Sequence, residues 1–372
     1  MKNLLKKIIS AKNRRRVLAF FNRLWCFICR HLPLRNVVLF YTIRANDGLL
    51  DNAKAVYDAY DGKKIIFAHK LPHSNKIKPL AYYYLLTSKV IVTDDYVRYM
   101  RAIRLRDGQK LFQIWHACGA FKKFGLDAPS KLSAAEEKAT HSQYSAVAVT
   151  SEKCQKFYAG AFGVSEDICL PIGLPRTDKL FSEASKMREG IFEKHPELKN
   201  KRIYLYCPTF REKDGVKSVY NPAIEWAAFS DAMAEDEVLI IRRHPIMDYK
   251  LTDGEYPNII DLSDESTLAL TAACDVIITD YSSVIYDACI LNVPTVFYCP
   301  DYKEYERGFY LEFPDGLPGE LVTSSENLLE EIRKTKENPP AERIQKFISE
   351  QMEACDGHST ERAVEIIRSW IK

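Results

Sequence analysis

The chain has 372 residues, more than one hydrophobic core usually supports, so we expect two domains. Apolar residues make up 47% and charged residues 28% of the chain, which is ordinary for a soluble globular protein. Ten cysteines lie mostly inside apolar runs with no secretory signal before them, which favours reduced thiols in a cytosolic protein over a disulfide-bonded secreted one. The pair Cys26 and Cys29 has no second pair that would complete a zinc site.

The N-terminal segment is strongly basic. Residues 1–46 contain eleven Lys or Arg and no acid, and subtracting these from the net charge of +3 leaves −8 for the remainder. Apolar side chains at 17–28 recur at the spacing of one helix face, in a run shorter than the roughly 20 residues that span a membrane. The pattern predicts a basic amphipathic helix within residues 1–34 that lies on an anionic membrane surface. A helix that packs on the protein body and exposes only its basic face is the alternative.

Short apolar runs alternate with helical patterns from residue 35 onwards. The runs predict strands at residues 37–41, 64–68, 90–93, 111–115, 146–150, 168–172, 202–207, 238–242, 258–261, 275–279, 295–298 and 321–323. Helices are predicted at 51–60, 134–143, 220–233 and 266–273. This alternation predicts an α/β protein with two doubly wound, Rossmann-like domains, at 35–195 and 196–340, and a last helix at 341–372 that crosses back to the first. Two such domains that face each other place their strand carboxyl ends around one cleft.

The stretch 275–287 is the most informative segment. A buried strand ends in Asp280, a polar turn holds Ser282 and Ser283, and a helical pattern that contains Asp287 follows. A helix that begins at the serines would direct unpaired N–H groups and hydroxyls out of the sheet, where they can bind a phosphate. The simpler alternative is that these polar residues only cap the helix.

A second motif, WHACGAFKK at residues 115–123, also follows an apolar strand. His116 at the strand end can act as a general base near neutral pH, and Gly119 allows a close backbone approach to a ligand. Lys122, together with the next lysine, supplies positive charge for an anionic substrate. The alternative for His116 is a hydrogen-bonded core histidine.

Cationic residues follow another strand, in the second half. Arg242, Arg243 and His244 form a cluster whose donors suit a diphosphate, and a solvated basic surface is the alternative. Two further motifs, GLPRTD at 173–178 and PTFR at 208–211, bring Arg176 and Thr209 to the cleft. Arg307 belongs to an aromatic, glycine-rich loop that holds a base or an acceptor, or only packs.

Several familiar nucleotide and metal signatures are missing from the sequence. It contains no Walker loop, no GxGxxG motif and no convincing Asp-x-Asp pair after a strand. We therefore expect a mechanism without metal or cofactor, in which Arg, His and a helix start neutralise a diphosphate.

Taken together, these motifs resemble the CDP-glycerol glycerophosphotransferase family, the teichoic acid primases and polymerases of Gram-positive bacteria. The matching segments are WHACGAFKK, GLPRTD, PTFR, RHP at 243–245, TDYSSVIYD at 279–287 and RGFY at 307–310. The resemblance implies a GT-B fold with an acceptor domain followed by a CDP-donor domain, and peripheral attachment to the cytoplasmic face of the membrane. It also implies transfer of glycerol phosphate from CDP-glycerol to a lipid-linked polyol-phosphate or saccharide acceptor, with release of CMP.

The resemblance also implies roles for individual residues. His116 looks like the catalytic base, and Arg243 and His244 look like the diphosphate cluster, with His244 stabilising the departing phosphate. Ser282, Ser283 and Asp287 look like nucleotide-diphosphate contacts, while Thr209 and Arg176 line the cleft.

Some features keep other functions open. Many family members have Trp-His-Gly-Thr-Pro where this chain has Trp-His-Ala-Cys-Gly, and CDP-ribitol transferases share the motifs, so CDP-ribitol is an alternative donor. A GT-B glycosyltransferase that uses a nucleotide sugar is a second alternative, and a membrane-surface scaffold with an inactive cleft is a third. Nucleic acid is not a predicted partner, and homo-oligomerisation stays open.

Overall fold

A computed structural model describes residues 11–69, 79–128, 132–213, 216–305 and 308–372. Residues 1–10 of the predicted membrane segment and Arg307 lie outside these ranges. Within them the chain forms two parallel α/β sheets of six strands each and one short antiparallel hairpin.

The first sheet has the strand order β2-β1-β3-β4-β5-β6. Its strands are β1 (Arg35–Thr42), β2 (Lys64–Ala68), β3 (Ser88–Thr93), β4 (Lys110–Gln113), β5 (Ala146–Val149) and β6 (Cys169–Pro171). The helices of this half are α1 (Ala11–His31), α2 (Asp51–Ala59), α3 (Pro79–Thr87), α4 (Ala134–His141), α5 (Glu152–Phe162) and α6 (Asp178–Lys194). The central strands read as unbroken apolar runs because helices cover both faces of the sheet.

The second sheet has the order β11-β10-β7-β12-β13-β14, so two strands, not one, lie on the outer side of its first strand. Its strands are β7 (Arg202–Cys207), β10 (Glu237–Ile241), β11 (Ile259–Asp261), β12 (Val276–Thr279), β13 (Thr295–Tyr298) and β14 (Glu320–Val322), and the hairpin is β8 (Arg211–Lys213) with β9 (Val216–Ser218). The helices are α7 (Trp226–Ala232), α8 (Thr267–Ala273), α9 (Val284–Ile290), α10 (Leu328–Glu337), α11 (Ala341–Gln351) and α12 (Ser359–Ile371).

All twelve predicted sheet strands form, with ends that differ by at most two residues from the expected ones. The helix expected at 220–233 is shorter and begins at Trp226, because Pro222 lacks an N–H group and Ala223 adopts a left-handed φ of 52°.

The C-terminal segment, expected as one helix, forms two. Gly357 between them has a φ of 93°, a conformation that favours glycine. The carboxylate of Asp178 accepts hydrogen bonds from the backbone N–H groups of Ser359 (3.1 Å) and Thr360 (2.7 Å), and so caps the start of α12. The buried face of α12, which includes Ile367, packs against the first sheet.

Helix α1 leaves much of its apolar face uncovered. Phe20 is 63% exposed and Phe27 is 61% exposed, whereas Cys29 is buried and the Trp25 indole donates to the carbonyl oxygen of Pro79 on α3. None of the described helices has the length and hydropathy that a membrane span requires.

Candidate active site

Both sheets have a topological switch point, where the chain reverses the direction in which strands are added. In the first sheet it lies between β1 and β3, and in the second it lies between β7 and β12. Ligands of open α/β sheets bind in the crevice at the carboxyl ends of such strands. The candidate residues after β4, β7 and β12 therefore lie at or next to the places where the topology predicts a site.

His116 is held at the first switch point by a backbone contact. Its Nδ1 lies 2.9 Å from the carbonyl oxygen of Asp94, which directly follows β3. Because a carbonyl oxygen only accepts, Nδ1 carries the proton and Nε2 keeps its lone pair. The side chain is one-third exposed, at 33%, rather than buried as a core histidine would be. This geometry suits a general base that acts through Nε2.

Charged side chains surround this histidine. Asp94 is fully buried, and its burial raises the pKa of the carboxyl group, which Thr42 and Arg44 partly offset. Arg44 lies 3.5 Å from Asp94 and 2.8 Å from Asp51, and the carboxylate of Asp95 lies 4.0 Å from His116 Nδ1. His116 therefore lies close to the carboxyl groups of both Asp94 and Asp95.

The motif of His116 also reaches the second half of the chain. Gly119 has a φ of 59°, and a Cβ there would lie 2.0 Å from the ring of Tyr286, so glycine is required for packing between the halves. Lys122 forms a β-bridge with Phe309, and its ammonium nitrogen lies 5.7 Å from the ring centre of Tyr305.

Arg176 and Asp287 pair with each other across the two halves. The guanidinium Nη1 lies 2.9 Å from the carboxylate, and the two side chains are 12% and 7% exposed. Burial raises the pKa of Asp287 even though Arg176 pulls it down. For Arg176, burial lowers the pKa, but the combined effect of Asp287 and neighbouring groups raises it overall. Both residues are predicted substrate contacts, and in the structure they join the two domains.

Asp280 and Thr209 also bind each other. Asp280 is fully buried and accepts hydrogen bonds from the N–H and hydroxyl of Thr209, each at 2.9 Å, and from Arg211 at 2.8 Å. Arg211 in turn binds Asp301. This network joins the ends of β7, β12 and β13, and Asp280 lies at its centre; the contact of Asp280 with substrate stays a prediction.

His244 lies on a loop that two arginines hold. Arg243 binds the Asp261 carboxylate at 2.7 Å and two backbone carbonyls, and Arg242 donates to the carbonyls of Glu265 and Arg243. Both guanidinium groups, predicted to contact the diphosphate, therefore shape this loop. The His244 Nδ1 accepts a bond from the backbone N–H of Ile246 at 3.2 Å, so the neutral ring carries its proton on Nε2. Its tautomer is opposite to that of His116.

The serine turn differs from the expected helix start. Helix α9 begins at Val284 and has seven residues, so its dipole is weaker than that of a long helix. The Ser282 hydroxyl accepts a weak bond from the Val284 N–H at 3.3 Å. Ser283 occupies the N-cap position, but within the described chain its side chain caps no N–H group of the helix. Capping therefore accounts for Ser282 and not for the Ser283 hydroxyl.

The sequence did not single out Asn52 or Asp94, and it placed Arg211 at the cleft only as part of the PTFR motif. Asp94 directly follows β3, so the rule that located His116, a polar residue at a strand end, could have found it. Asn52 lies in the first turn of α2 and is fully buried, and its importance comes from contacts with distant segments. No group of three or more His, Cys, Asp or Glu in the described ranges is arranged to hold a metal ion.

Two parallel α/β domains whose carboxyl-edge loops meet define a protein of the GT-B fold class. The chain belongs to the CDP-glycerol:poly(glycerophosphate) glycerophosphotransferase family, which it matches over residues 24–369.

Relatives in Bacillus support the assignment. The chain is 31% identical over 363 residues to a teichoic acid ribitol-phosphate primase of Bacillus spizizenii, covering 91% of this chain and 93% of that protein. It is 30% identical over 341 residues to a teichoic acid glycerol-phosphate primase of Bacillus subtilis, covering 89% and 86%. It is also 33% identical over 301 residues to a teichoic acid poly(ribitol-phosphate) polymerase of Bacillus spizizenii. This match covers 77% of this chain but only 47%, about half, of the length of that polymerase.

A solved structure supports the fold. The wall teichoic acid polymerase TagF superposes with a TM-score of 0.75 at 19% identity, over 100% of this chain and 98% of that one. At this identity the likeness concerns the architecture.

The Arg176–Asp287 pair yields a stability prediction. Asp287→Asn leaves a buried guanidinium without its counter-ion, and we expect it to lower the free energy of unfolding by about 3–5 kcal/mol. The double variant Arg176→Met, Asp287→Leu should recover part of this loss because it removes both buried charges. Chemical unfolding measures the effect, with Asp58→Asn, which breaks the exposed pair with Lys54, as the control. An Asp287→Asn protein as stable as the control variant would contradict a structural role for the pair.

Proposed function

We propose that the protein is a CDP-glycerol glycerophosphotransferase. It transfers glycerol phosphate from CDP-glycerol to a hydroxyl group of a lipid-linked teichoic acid or related polymer acceptor, and it releases CMP. The observation that carries the proposal is His116 with its Nε2 lone pair at the carboxyl edge of the first sheet, in a chain of this transferase family.

The proposed reaction is a single displacement at phosphorus. The acceptor hydroxyl oxygen attacks the β-phosphorus of CDP-glycerol, and its proton passes to His116 Nε2. A new O–P bond forms, the bond from the β-phosphorus to the bridging oxygen breaks, and CMP leaves with that electron pair. The products are a phosphodiester and CMP, and the His116 ring is left with a proton on each nitrogen, with the Asp95 carboxylate 4.0 Å from Nδ1.

The departing phosphate needs donors on the opposite side of the cleft. His244 supports such a role because its proton sits on Nε2, the nitrogen that is not bound to Ile246. The hydroxyls of Ser282 and Ser283 and the ammonium group of Lys122 are the further proposed contacts, as is Arg307, with Gly119 holding the loop that carries Lys122 in place. Donors that are already oriented stabilise developing charge without a cost of rearrangement.

The remaining predicted site residues are proposed to act through these contacts. Arg242 and Arg243 hold the loop of His244, and Thr209 with Asp280 holds the turn that carries the serines. Arg176 and Asp287 keep the base and the donor half together.

The comparisons favour a second candidate for the polyol of the donor. The relatives with 33% and 31% identity are both named for ribitol phosphate. CDP-ribitol, with transfer of ribitol phosphate by the same chemistry, is therefore the second candidate.

A donor assay tests the proposed function. The protein is incubated with a lipid-linked acceptor and CDP-glycerol, CDP-ribitol or UDP-sugars, and released CMP or UDP is scored. We expect CMP release from CDP-glycerol at more than about tenfold the rate of the other donors, a difference of about 1.4 kcal/mol in barrier. Preference for CDP-ribitol would establish the second candidate, and release of UDP alone would overturn phosphotransfer.

The base assignment yields a separate prediction. His116→Gln keeps a polar side chain of similar size but removes the titratable base, so we expect turnover to fall by about 10²–10⁴-fold. The Kd for the CDP-polyol donor should stay within about threefold, since the base acts on the acceptor. His358→Gln, at an exposed histidine between α11 and α12, is the control and should keep wild-type turnover. Equal losses of turnover and donor affinity in His116→Gln would refute the assignment.

We also propose that residues 1–34 attach the protein to the cytoplasmic face of an anionic membrane. The segment combines nine Lys or Arg before position 31 with exposed apolar side chains on α1, including Phe20, Phe21 and Phe27. A surface helix with this composition inserts its apolar side chains among the headgroups while its basic residues attract anionic lipid.

Substitution of the three phenylalanines tests this attachment. Because Phe20, Phe21 and Phe27 are exposed, changing all three to Ser should leave the fold intact and weaken binding to phosphatidylglycerol vesicles by about tenfold or more. Phe181→Ser, at an exposed phenylalanine on α6, is the matched control. Co-sedimentation with vesicles measures the effect, and binding by the triple variant that equals the control would contradict the proposal.

A further inference from the structure

The residue before the proposed base has an unusual backbone conformation. Trp115 adopts a φ of 47°, in the left-handed region that bulky side chains rarely occupy. Its ring is buried, at 4% exposure, and stacks on Phe124. A conformation of this kind persists only where surrounding contacts enforce it.

Two buried amides bind the backbone of Trp115: the Gln113 Oε1 accepts its N–H at 2.9 Å, and Asn52 binds its carbonyl oxygen. The Nδ2 of Asn52 donates to the carbonyl oxygen of Trp115 at 3.0 Å and, more weakly, to that of Ile114 at 3.4 Å. These carbonyls lie beyond the end of β4, where the ladder of the sheet no longer pairs them. Asn52 itself is fully buried, so its side chain is held in one orientation.

The other end of the same amide reaches the domain interface. The Oδ1 of Asn52 accepts the backbone N–H of Arg176 at 2.9 Å, and the Arg176 guanidinium binds Asp287 in the second half. One side chain therefore connects the strained turn before His116 to the ion pair that joins the two domains.

We propose that Asn52 is a positioning residue for the reaction. It holds Trp115 in the left-handed conformation, which directs the His116 Nδ1 to the carbonyl of Asp94 and its Nε2 into the cleft, and it ties that arrangement to the Arg176–Asp287 pair. This inference rests on the proposed function, in which His116 is the base.

The chain contains a matched control for the experiment. Gln109 is also buried, its amide donates to two carbonyls, those of Leu85 (2.8 Å) and Ser88 (2.6 Å), and its oxygen accepts the N–H of Arg106 at 2.9 Å. It precedes β4 and so lies at the amino edge of the sheet, away from the cleft. Gln109→Ala therefore removes the same number and kind of buried bonds without touching the site.

The experiment compares Asn52→Ala, Asn52→Asp and Gln109→Ala in the full chain. For each variant, two quantities are measured at pH 8. The first is kcat, normalised to the concentration of protein that binds donor. The second is the Kd of whichever CDP-polyol the wild-type protein uses as donor. We expect both Asn52 variants to lose about 10- to 100-fold in kcat while the donor Kd stays within about threefold, because a small misplacement of the base slows the chemical step. Gln109→Ala should keep kcat within about twofold.

Asn52→Asp keeps the oxygen that accepts the Arg176 N–H and loses the amide group that donates to the Trp115 carbonyl. It therefore tests the Trp115 contact separately, even if Asn52→Ala fails to fold. Wild-type kcat in Asn52→Asp, or equal losses in the Asn52 and Gln109 variants, would overturn the inference. A wild-type protein that turns over no CDP-polyol would instead overturn the proposed function.

Discussion

The buried ion pair between Arg176 and Asp287 is the contact on which the arrangement of the cleft depends. Each charge is nearly fully removed from solvent, so neither could remain ionised and buried without the other. Arg176 follows the last strand of the first sheet, and Asp287 lies on the helix that follows β12 of the second. The pair therefore sets the distance between the two carboxyl edges, which a transfer reaction between them requires.

A second network acts in the same way inside the donor half. Asp280 uses its carboxylate to join Thr209 and Arg211 to the end of β12. Because these charges are satisfied within the protein, they orient the neighbouring loops without having to contact the substrate. Several charged residues of the motifs thus hold the loops of the site in place. The two histidines have opposite tautomers: that of His116 suits proton acceptance in the first half, and that of His244 suits hydrogen-bond donation in the second.

Much of the fold could be predicted because parallel strands covered on both faces have an apolar signature that depends on local sequence alone. Two helices differ from their predicted extents, for reasons that hydrophobic periodicity does not reveal. Apolar spacing continues through 220–225, but Pro222 and Ala223 interrupt the backbone of the helix. In the C-terminal segment, Gly357 and a cap from the distant Asp178 divide one expected helix into two. The strand order and the switch points were beyond prediction because they follow from long-range pairing.

The amino-acid sequence by itself determined the α/β class, the positions of the strands and the motifs that carry His116, His244 and the serine turn. These features depend on hydrophobic period and on residue type at strand ends, which are local properties of the chain. Only the tertiary structure decided which polar residues bind one another, namely Arg176 with Asp287, Asp280 with Thr209, and Asn52 with the turn before His116. Those pairings join segments up to 111 residues apart. Whether a charged side chain can contact substrate or instead holds other parts of the protein in place depends on its burial and its partners. These are set only once the chain has folded.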